Sequence, residues 1–497
     1  MMQMTGRRGF IQSMIAAGAA PVIVPSSVLG KTAPSNKLQI ALFGCGRVAS
    51  TMDMQGVVDN HDLAMLTTIC DVDSERLPYF KQLVANRYAY YKLNADHLKM
   101  KMDYREVLDD PGIDGVMVCT QDHWHARMVV EACLKGKDVY VQKPMAFSVE
   151  ESEAIVEAVR RTKRVFHIGT QQRSDKGGCG NGFRRGVEYV LSGRIGTLKR
   201  IEVGIVDNVP KYEDNVPLYE KTPDPLDFNF DLWLGPARND VRYSQLRTHW
   251  RIREPNGSLP LKGRHGRYMN NGWLQIQDYC TGNISGWGSH HMDIAQWAMG
   301  GIGPVSVKAD HAEFLKGRLF NVHDDCLITY KYANGVELKC GTPRYSGFRC
   351  GAKFIGENGD WISTCRSTTK IPEGKRVDTA YKPKADFWRN CEANRKGILE
   401  GEPEKQVVRN MEKDHHRPWF IAMRSRKDTN ITVEEANVST ISCILGYHAM
   451  NNVGYEIKWD PEKRTFVNPA DAAKFMKCNE RRPYSTMDAL NEIRKRG

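Results

Sequence analysis

Three short stretches hold residue types that could do chemistry. In "GCGRVA", Gly44 and Gly46 stand between a strand pattern, Leu38 to Phe43, and a helix pattern. Gly44 permits a tight turn. Gly46 lets backbone N–H groups approach a pyrophosphate at the helix N-terminus, and Ala49 at the third position allows close packing. Arg47 and Val48 belong to the same turn. Asp71 ends the next strand, 25 residues beyond Gly46, where it can hold the ribose hydroxyls of an adenosine. Its charge would meet a 2′-phosphate, so NAD is expected in preference to NADP.

"TQDHWHA" and "VQKPM" follow two further apolar runs. Thr120, His123, Trp124 and His125 fall at the carboxyl edge of the sheet those runs would build, where ligands of such sheets bind. Each taken singly could equally cap or pack the helix that starts there. Pro144 cannot continue a ladder, so the strand stops and Lys143 is presented at the rim, with Gln142 before it. A lysine partly desolvated there and hydrogen-bonded to a substrate hydroxyl would titrate in a useful range. In "GWGSHHMD", His290, His291 and Asp293 are adjacent or nearly so. Neighbours on a helix point about 100° apart, so the two histidines do not easily face one metal. No third ligand with recognisable spacing follows, and no metal is expected.

These residues need particular elements to position them. Buried-strand runs at "LQIALF", "LAMLTTIC", "GVMVCT", "DVYVQ" and "VFHIG" alternate with helical patterns. Gly136 reads as the residue just past one helix, and Ser148 with Glu151 as a capping box opening another. That alternation is a parallel, doubly wound α/β sheet. From about residue 169 the rhythm changes. "TLKRIEVGIV" is a long strand. Two hairpins turn at Asn334-Gly335 and Asn358-Gly359. The expectation is a C-terminal α+β domain with a mostly antiparallel sheet, and long loops over residues 208–285.

"GCGRVA", "CDVD", "TQDHWHA", "QKPMA", "IGTQQRS", "GRIGTLKRIEV", "DLWLGPA", "GWGSHHMDIAQWAMG" and "IGENG" occur in this order. Together they resemble the glucose–fructose oxidoreductase, inositol dehydrogenase and MocA (Gfo/Idh/MocA) family, above all its long, secreted, sugar-acting members, over residues 36 to 470. The resemblance implies an NAD-binding Rossmann domain over 36–168. It implies an α+β substrate and oligomerisation domain over 169–470, with an open sheet that joins a homodimer or homotetramer. Residues 471–497 remain as a C-terminal tail. By the same resemblance Lys143 matches the catalytic lysine of a Glu-Lys-Pro motif, with Gln142 in the glutamate's place. His290 matches the histidine of an Asp-x-x-x-His motif, with Gly286 in the aspartate's place. His290 is then an acid–base or orienting group for a sugar hydroxyl, since an imidazole near its ordinary pKa of about 6.5 suits that exchange. His291 and Asp293 read as structural, with His291 at the substrate side. Gln172 joins the cofactor groups. Arg173, His249, Trp250, Arg251, Trp273 and Tyr279 offer polar and aromatic groups of the kind sugars bind.

The expected activity is an NAD-dependent oxidation of a sugar or glycoside hydroxyl to a keto-sugar, with the cofactor tightly held. A redox-neutral, NAD-using glycosidase of the family 109 type is the alternative, and a non-catalytic sugar-binding protein is a third. Arg7 and Arg8 before a short, mild apolar run read as a twin-arginine export signal over residues 1–30, hence a periplasmic protein without a membrane anchor. Net charge is +12, but the basic residues are spread out and not interleaved with aromatics, which argues against nucleic acid. The 13 cysteines form no CxxC pairs and read as mostly small core residues.

Overall fold

The computed structural model describes residues 37–174, 182–191, 193, 195–207, 221–237, 242–244, 272–315, 320–365, 368–370, 414–477 and 480–496. Residues 1–30, with the export reading, lie outside them.

The N-terminal sheet has strands β1 (Leu38–Phe43), β2 (Ala64–Cys70), β3 (Lys99–Lys101), β4 (Gly115–Val118), β5 (Asp138–Gln142) and β6 (Phe166–Gly169). All pairings are parallel, in the order β3-β2-β1-β4-β5-β6. The order reverses between β1 and β4, which opens a crevice at their carboxyl ends. Helices α1 (Met54–Asp59), α2 (Arg76–Tyr90), α3 (Tyr104–Leu108), α4 (Asp122–Leu134) and α5 (Val149–Thr162) connect the strands. Every residue of β4, β5 and β6 is buried, which explains their uninterrupted apolar runs. The capping box at α5 is complete: Ser148 Oγ accepts from Glu151 N and Glu151 Oε2 from Ser148 N.

The helix after the glycine turn is irregular. Its residues Ala49–Asp53 form a wide π-turn before α1. Ser50 and Thr51 bond back to the Arg47 carbonyl, at 2.9 and 2.8 Å. Such turns commonly re-aim a side chain at a functional site. Here Asp53, fully buried, is turned inward towards β5.

The second sheet has nine strands: β7 (Leu198–Gly204), β8 (Ser306–Phe314), β9 (His323–Lys331), β10 (Glu337–Gly341), β11 (Gly351–Gly356), β12 (Trp361–Cys365), β13 (Thr368–Lys370), β14 (Glu456–Asp460) and β15 (Thr465–Phe466). Their order is β13-β12-β11-β7-β10-β9-β8-β14-β15, with only β7 and β10 parallel. Both expected hairpins are present, β9–β10 and β11–β12, and Gly335 and Gly359 have φ of 81° and 84° in their turns. One face is core, with Ile201, Val203, Ile328, Leu338 and Phe354 fully buried. The other carries Arg200, Glu202, Lys339 and Lys353, which form ion pairs along it.

The remaining helices are α6 (Gly182–Leu191), α7 (Phe230–Leu234), α8 (Asn283–Gly286), α9 (Gly288–Ala298), α10 (Arg417–Ser425), α11 (Val433–Met450), α12 (Pro469–Phe475) and α13 (Thr486–Arg496). Two of them correct the expected boundaries. Trp419 and Phe420 of α10 are fully buried in the core that contains Ile40 and Leu42. Ala489, Leu490 and Ile493 of α13 are buried in the core on the other face, with Val129 and Ile155. Residues 471–497 therefore include an integral helix of the N-terminal domain, and residues 169–470 do not form a self-contained unit.

Candidate active site

The crevice holds a cavity of about 430 Å³ lined by both halves of the chain. Gly44 has φ +88°, and a Cβ there would come within 2.7 Å of the Cys119 carbonyl oxygen. A Cβ on Gly46 would meet nothing within 4 Å, so this part of the turn borders open space. Arg47, Val48 and Thr51 line the cavity beside it. Asp71 also lines it, at the end of β2. Its carboxylate accepts from Cys45 N at 2.7 Å and Asp73 N at 3.0 Å, and burial raises its pKa. Those bonds fix Asp71 against the glycine turn and hold its carboxyl at the cavity wall.

A segment from beyond the sheet closes this end. Ser74 N donates to Asp227 O and Asn229 N to Val72 O, each at 2.9 Å, with a bridge between Asp73 and Phe228. The segment brings Phe228, Leu232 and Trp233 into the wall of the cavity that Asp71 also lines. Trp124 Nε1 donates to Trp233 O at 3.1 Å, and Gly235 has no Cβ because Trp124 fills that space.

At the other end Lys143 leaves β5 half-buried and donates from Nζ to the Gly286 carbonyl at 2.6 Å. Burial lowers its pKa, and Asp122 opposes that shift. Thr120, His125, Gln142, Gln172, Trp273, Trp287 and His290 line the same space. His125 Nδ1 donates to Pro144 O at 2.6 Å, and burial brings its pKa down to about 4, so it is a neutral brace. Gln172 is 2 % exposed, and neither its carboxamide nitrogen nor its oxygen has a partner among the described residues. A buried amide left unpaired is costly, so this one is set to bond a ligand.

Gln142 differs from the glutamate of the resembling motif, and the structure supplies the reason. Its Nε2 donates to both oxygens of Asp53 at 2.8 Å. His416 Nε2 donates to Asp53 at 3.0 Å, and Cys119 Sγ at 3.2 Å. A glutamate here would bring a second carboxylate against a buried one; the amide donates instead.

Four expected site residues do not reach the cavity. His123 is buried among Trp233 and Tyr279, its pKa lowered to about 4 by burial. Tyr279 is fully buried in that same aromatic cluster and offers no face to a sugar. Arg173 makes a bidentate pair with Asp293, 2.6 Å at both contacts, and lies over Trp297, so its guanidinium is committed to the interior. His291 is fully buried and donates from Nδ1 to Gly204 O at 2.7 Å, bolting α9 to β7. His249, Trp250 and Arg251 lie outside the described residues. No group of three or more metal-ligating side chains occurs among the described residues.

Residues 38–170 match the model of an oxidoreductase family with an NAD-binding Rossmann fold. Over these residues the chain is similar to the Gfo/Idh/MocA family. A stretch of 77 residues is 40% identical to scyllo-inositol 2-dehydrogenase (NAD(+)) of Bacillus subtilis (strain 168), covering 16% of this chain and 22% of that protein. A stretch of 160 residues is 30% identical to a glycosyl hydrolase family 109 protein of Shewanella sp. (strain ANA-3), covering 30% of this chain and 32% of that one. The matched stretches thus span between a fifth and a third of these relatives' lengths. The WlbA dehydrogenase of Bordetella pertussis, solved with NADH and UDP-GlcNAcA, shares the fold over 86% of this chain and 98% of its own, with TM-score 0.55 and 16% identity.

The glycine turn, Asp71 and the unpaired Gln172 fit a dinucleotide. Gly44 lets the turn pack against the end of β4, Gly46 leaves room for the phosphates, Asp71 stands at the ribose end, and Gln172 lines the same cavity as Lys143. Sequence reading missed Asp122, Trp287 and Phe228 in the cavity wall, and the Asp53–His416 pair behind it. Asp122 was visible inside "TQDHWHA" as the first residue of a helix at the carboxyl edge. The pairing of Asp53 with His416 crosses 363 positions and leaves no local signal.

Proposed function

We propose that this chain oxidises a hydroxyl of a sugar or glycoside to a ketone, using an NAD that it keeps between turnovers. The observation that carries this reading is Lys143, half-buried at the carboxyl edge of β5, in one cavity with the glycine turn, Asp71 and His290. NAD, when bound, would supply the hydride acceptor. The chain's own part is to bind and orient the hydroxyl and to move its proton. A lysine whose pKa is lowered by burial can hold the hydroxyl oxygen without clinging to its own proton. His290 would take the hydroxyl proton as the carbonyl forms. Trp273 and Trp287 offer flat apolar faces of the kind sugar rings pack on.

Retention of the cofactor is supported by the segment across Asp73 and Ser74, which covers the ribose end with protein backbone. It also suits the export reading of Arg7 and Arg8, since a protein exported folded would carry its cofactor to a compartment without a free nicotinamide pool. A retained cofactor needs an electron-accepting partner substrate to reset it. The 30% identical stretch shared with a family 109 protein supports a second reading, glycoside cleavage without net redox. Purified protein incubated with a panel of sugars and aryl glycosides, without added NAD, separates the two. Keto-product with an added electron acceptor supports the first. Released aglycone without acceptor supports the second. Neither product, with sugar bound, would leave a non-catalytic binding protein.

A further inference from the structure

Asp122, the first residue of α4, is 4 % exposed and lines the cavity together with Lys143, Gly286 and His290. Its carboxyl has one side-chain partner, Ser285 Oγ at 3.2 Å. That hydroxyl has a single proton and lies nearer to the Gly282 carbonyl, at 2.9 Å. Asp122 is therefore a buried carboxyl served only by its own backbone N–H and by a hydroxyl shared with a carbonyl. Lys143 is in the complementary position, with three N–H donors and one carbonyl partner. Each buried charge is costly alone and compensated by the other.

Among the described residues that act on Lys143, Asp122 is the only carboxyl. Arg47 acts on Lys143 with like charge. Cys280 and Cys443 also face it, but burial raises both thiols, so they stay neutral. His125 is neutral and bonded to the Pro144 carbonyl. His290 lines the same cavity and is cationic only when protonated. Gly286 offers only its carbonyl, although a Cβ there would meet nothing closer than Asn283 Oδ1 at 3.4 Å. The carboxyl that serves Lys143 thus comes from the start of α4.

We propose that Asp122 is the positioning carboxylate of Lys143: it fixes the charge state of the ammonium and, through Ser285, holds α8, whose Gly286 carbonyl the ammonium bonds and which leads into the helix that carries His290. This rests on the reading of Lys143 as the hydroxyl-binding group. Burial pushes the Asp122 carboxyl up and Lys143 opposes that shift, which leaves it at about 7. Removing the carboxylate lowers the Lys143 pKa further.

Two readouts on the cofactor-loaded protein test this. The first is the pH dependence of acetic anhydride labelling at Lys143, followed by peptide mass spectrometry. In Asp122→Asn the labelling midpoint should fall by about one pH unit or more, and in Asp122→Glu it should stay near the wild-type value. The second is the kinetic profile on whichever sugar the wild type oxidises. Asp122→Asn should lose about tenfold or more in kcat with KM little changed, and the acid limb of its kcat profile should move. If Asp122→Asn does not fold, Asp122→Ser removes the charge with less volume and is read in the same way. A shifted midpoint in a protein that oxidises no sugar sustains the Asp122–Lys143 coupling and defeats only the proposed activity. A labelling midpoint unchanged in the folded, charge-free variant overturns the inference.

Discussion

His290 and His291 are neighbours with different environments. His290 lines the cavity, whereas His291 is fully buried against Gly204. Lys143→Ala and His290→Ala should each lower turnover about a hundredfold or more, with bound cofactor retained. His291→Ala removes a buried ring and its hydrogen bond, so it should cost about 3 kcal/mol of stability and leave kcat nearly intact below its melting temperature. Steady-state kinetics beside denaturant titrations of the three variants check this; a larger kcat loss for His291→Ala than for His290→Ala would reverse the roles. Gly44, Gly46, Asp71 and Lys143 were legible in sequence because each is set by its place at a strand end. Arg173, Tyr279 and His123 were not. Their partners are Asp293, Trp233 and one another, and the Arg173–Asp293 pair spans 120 positions. A polar or aromatic residue near a cleft motif looks the same in sequence whether it faces the cleft or the core behind it.

The strand and helix alternation was legible to within a residue or two at β1, β5 and α5, because apolar runs, Pro144 and the Ser148 cap are local signals. The closing segment across Asp73 was not, since it depends on backbone bonds from residues 227–229 to a turn far upstream. It is clipped in turn by the chain's C-terminal part. Arg481 donates to Gly235 O at 2.8 Å and Asp231 O at 2.7 Å, and Tyr484 OH to Asp231 at 2.6 Å. Arg481→Ala should therefore loosen the segment and speed NAD release about tenfold, with little change in the core. The measurement is the dissociation rate of bound nicotinamide into a large excess of unlabelled NAD. An unchanged rate would mean that this segment does not retain the cofactor.

At the scale of the whole molecule, buried imidazoles set the pH response. Burial lowers His123, His125, His323 and His448 to about 4, His167 to about 3, and His415 well below its ordinary value. Between about pH 4 and 6.5 the unfolded chain binds protons at these positions and the folded chain does not. Stability from these groups is therefore complete above about pH 6.5 and lost as pH falls towards 4. Asp122 and Glu151, raised to about 7 and 8 by burial, act in the opposite sense. Their contribution is present below their unfolded values near 4 and is lost as pH rises through 7 to 8. The histidines outnumber them, so the melting temperature should climb steeply from pH 4 to 6.5 and decline gently from 7 to 8. Thermal scans across that range check the shape; a melting temperature that rises on acidification below pH 6.5 would contradict it.

Sugar oxidation on a cofactor the protein does not give up is tested most directly by one absorbance experiment. The purified protein is desalted exhaustively and mixed anaerobically with candidate sugars and glycosides, without added NAD or electron acceptor. A reduced-nicotinamide band should appear, amount to no more than one equivalent per chain, and stay with the protein through a second desalting. Protein that carries no nicotinamide after desalting, stays inactive until millimolar NAD is added, and then releases one free NADH per sugar would contradict it.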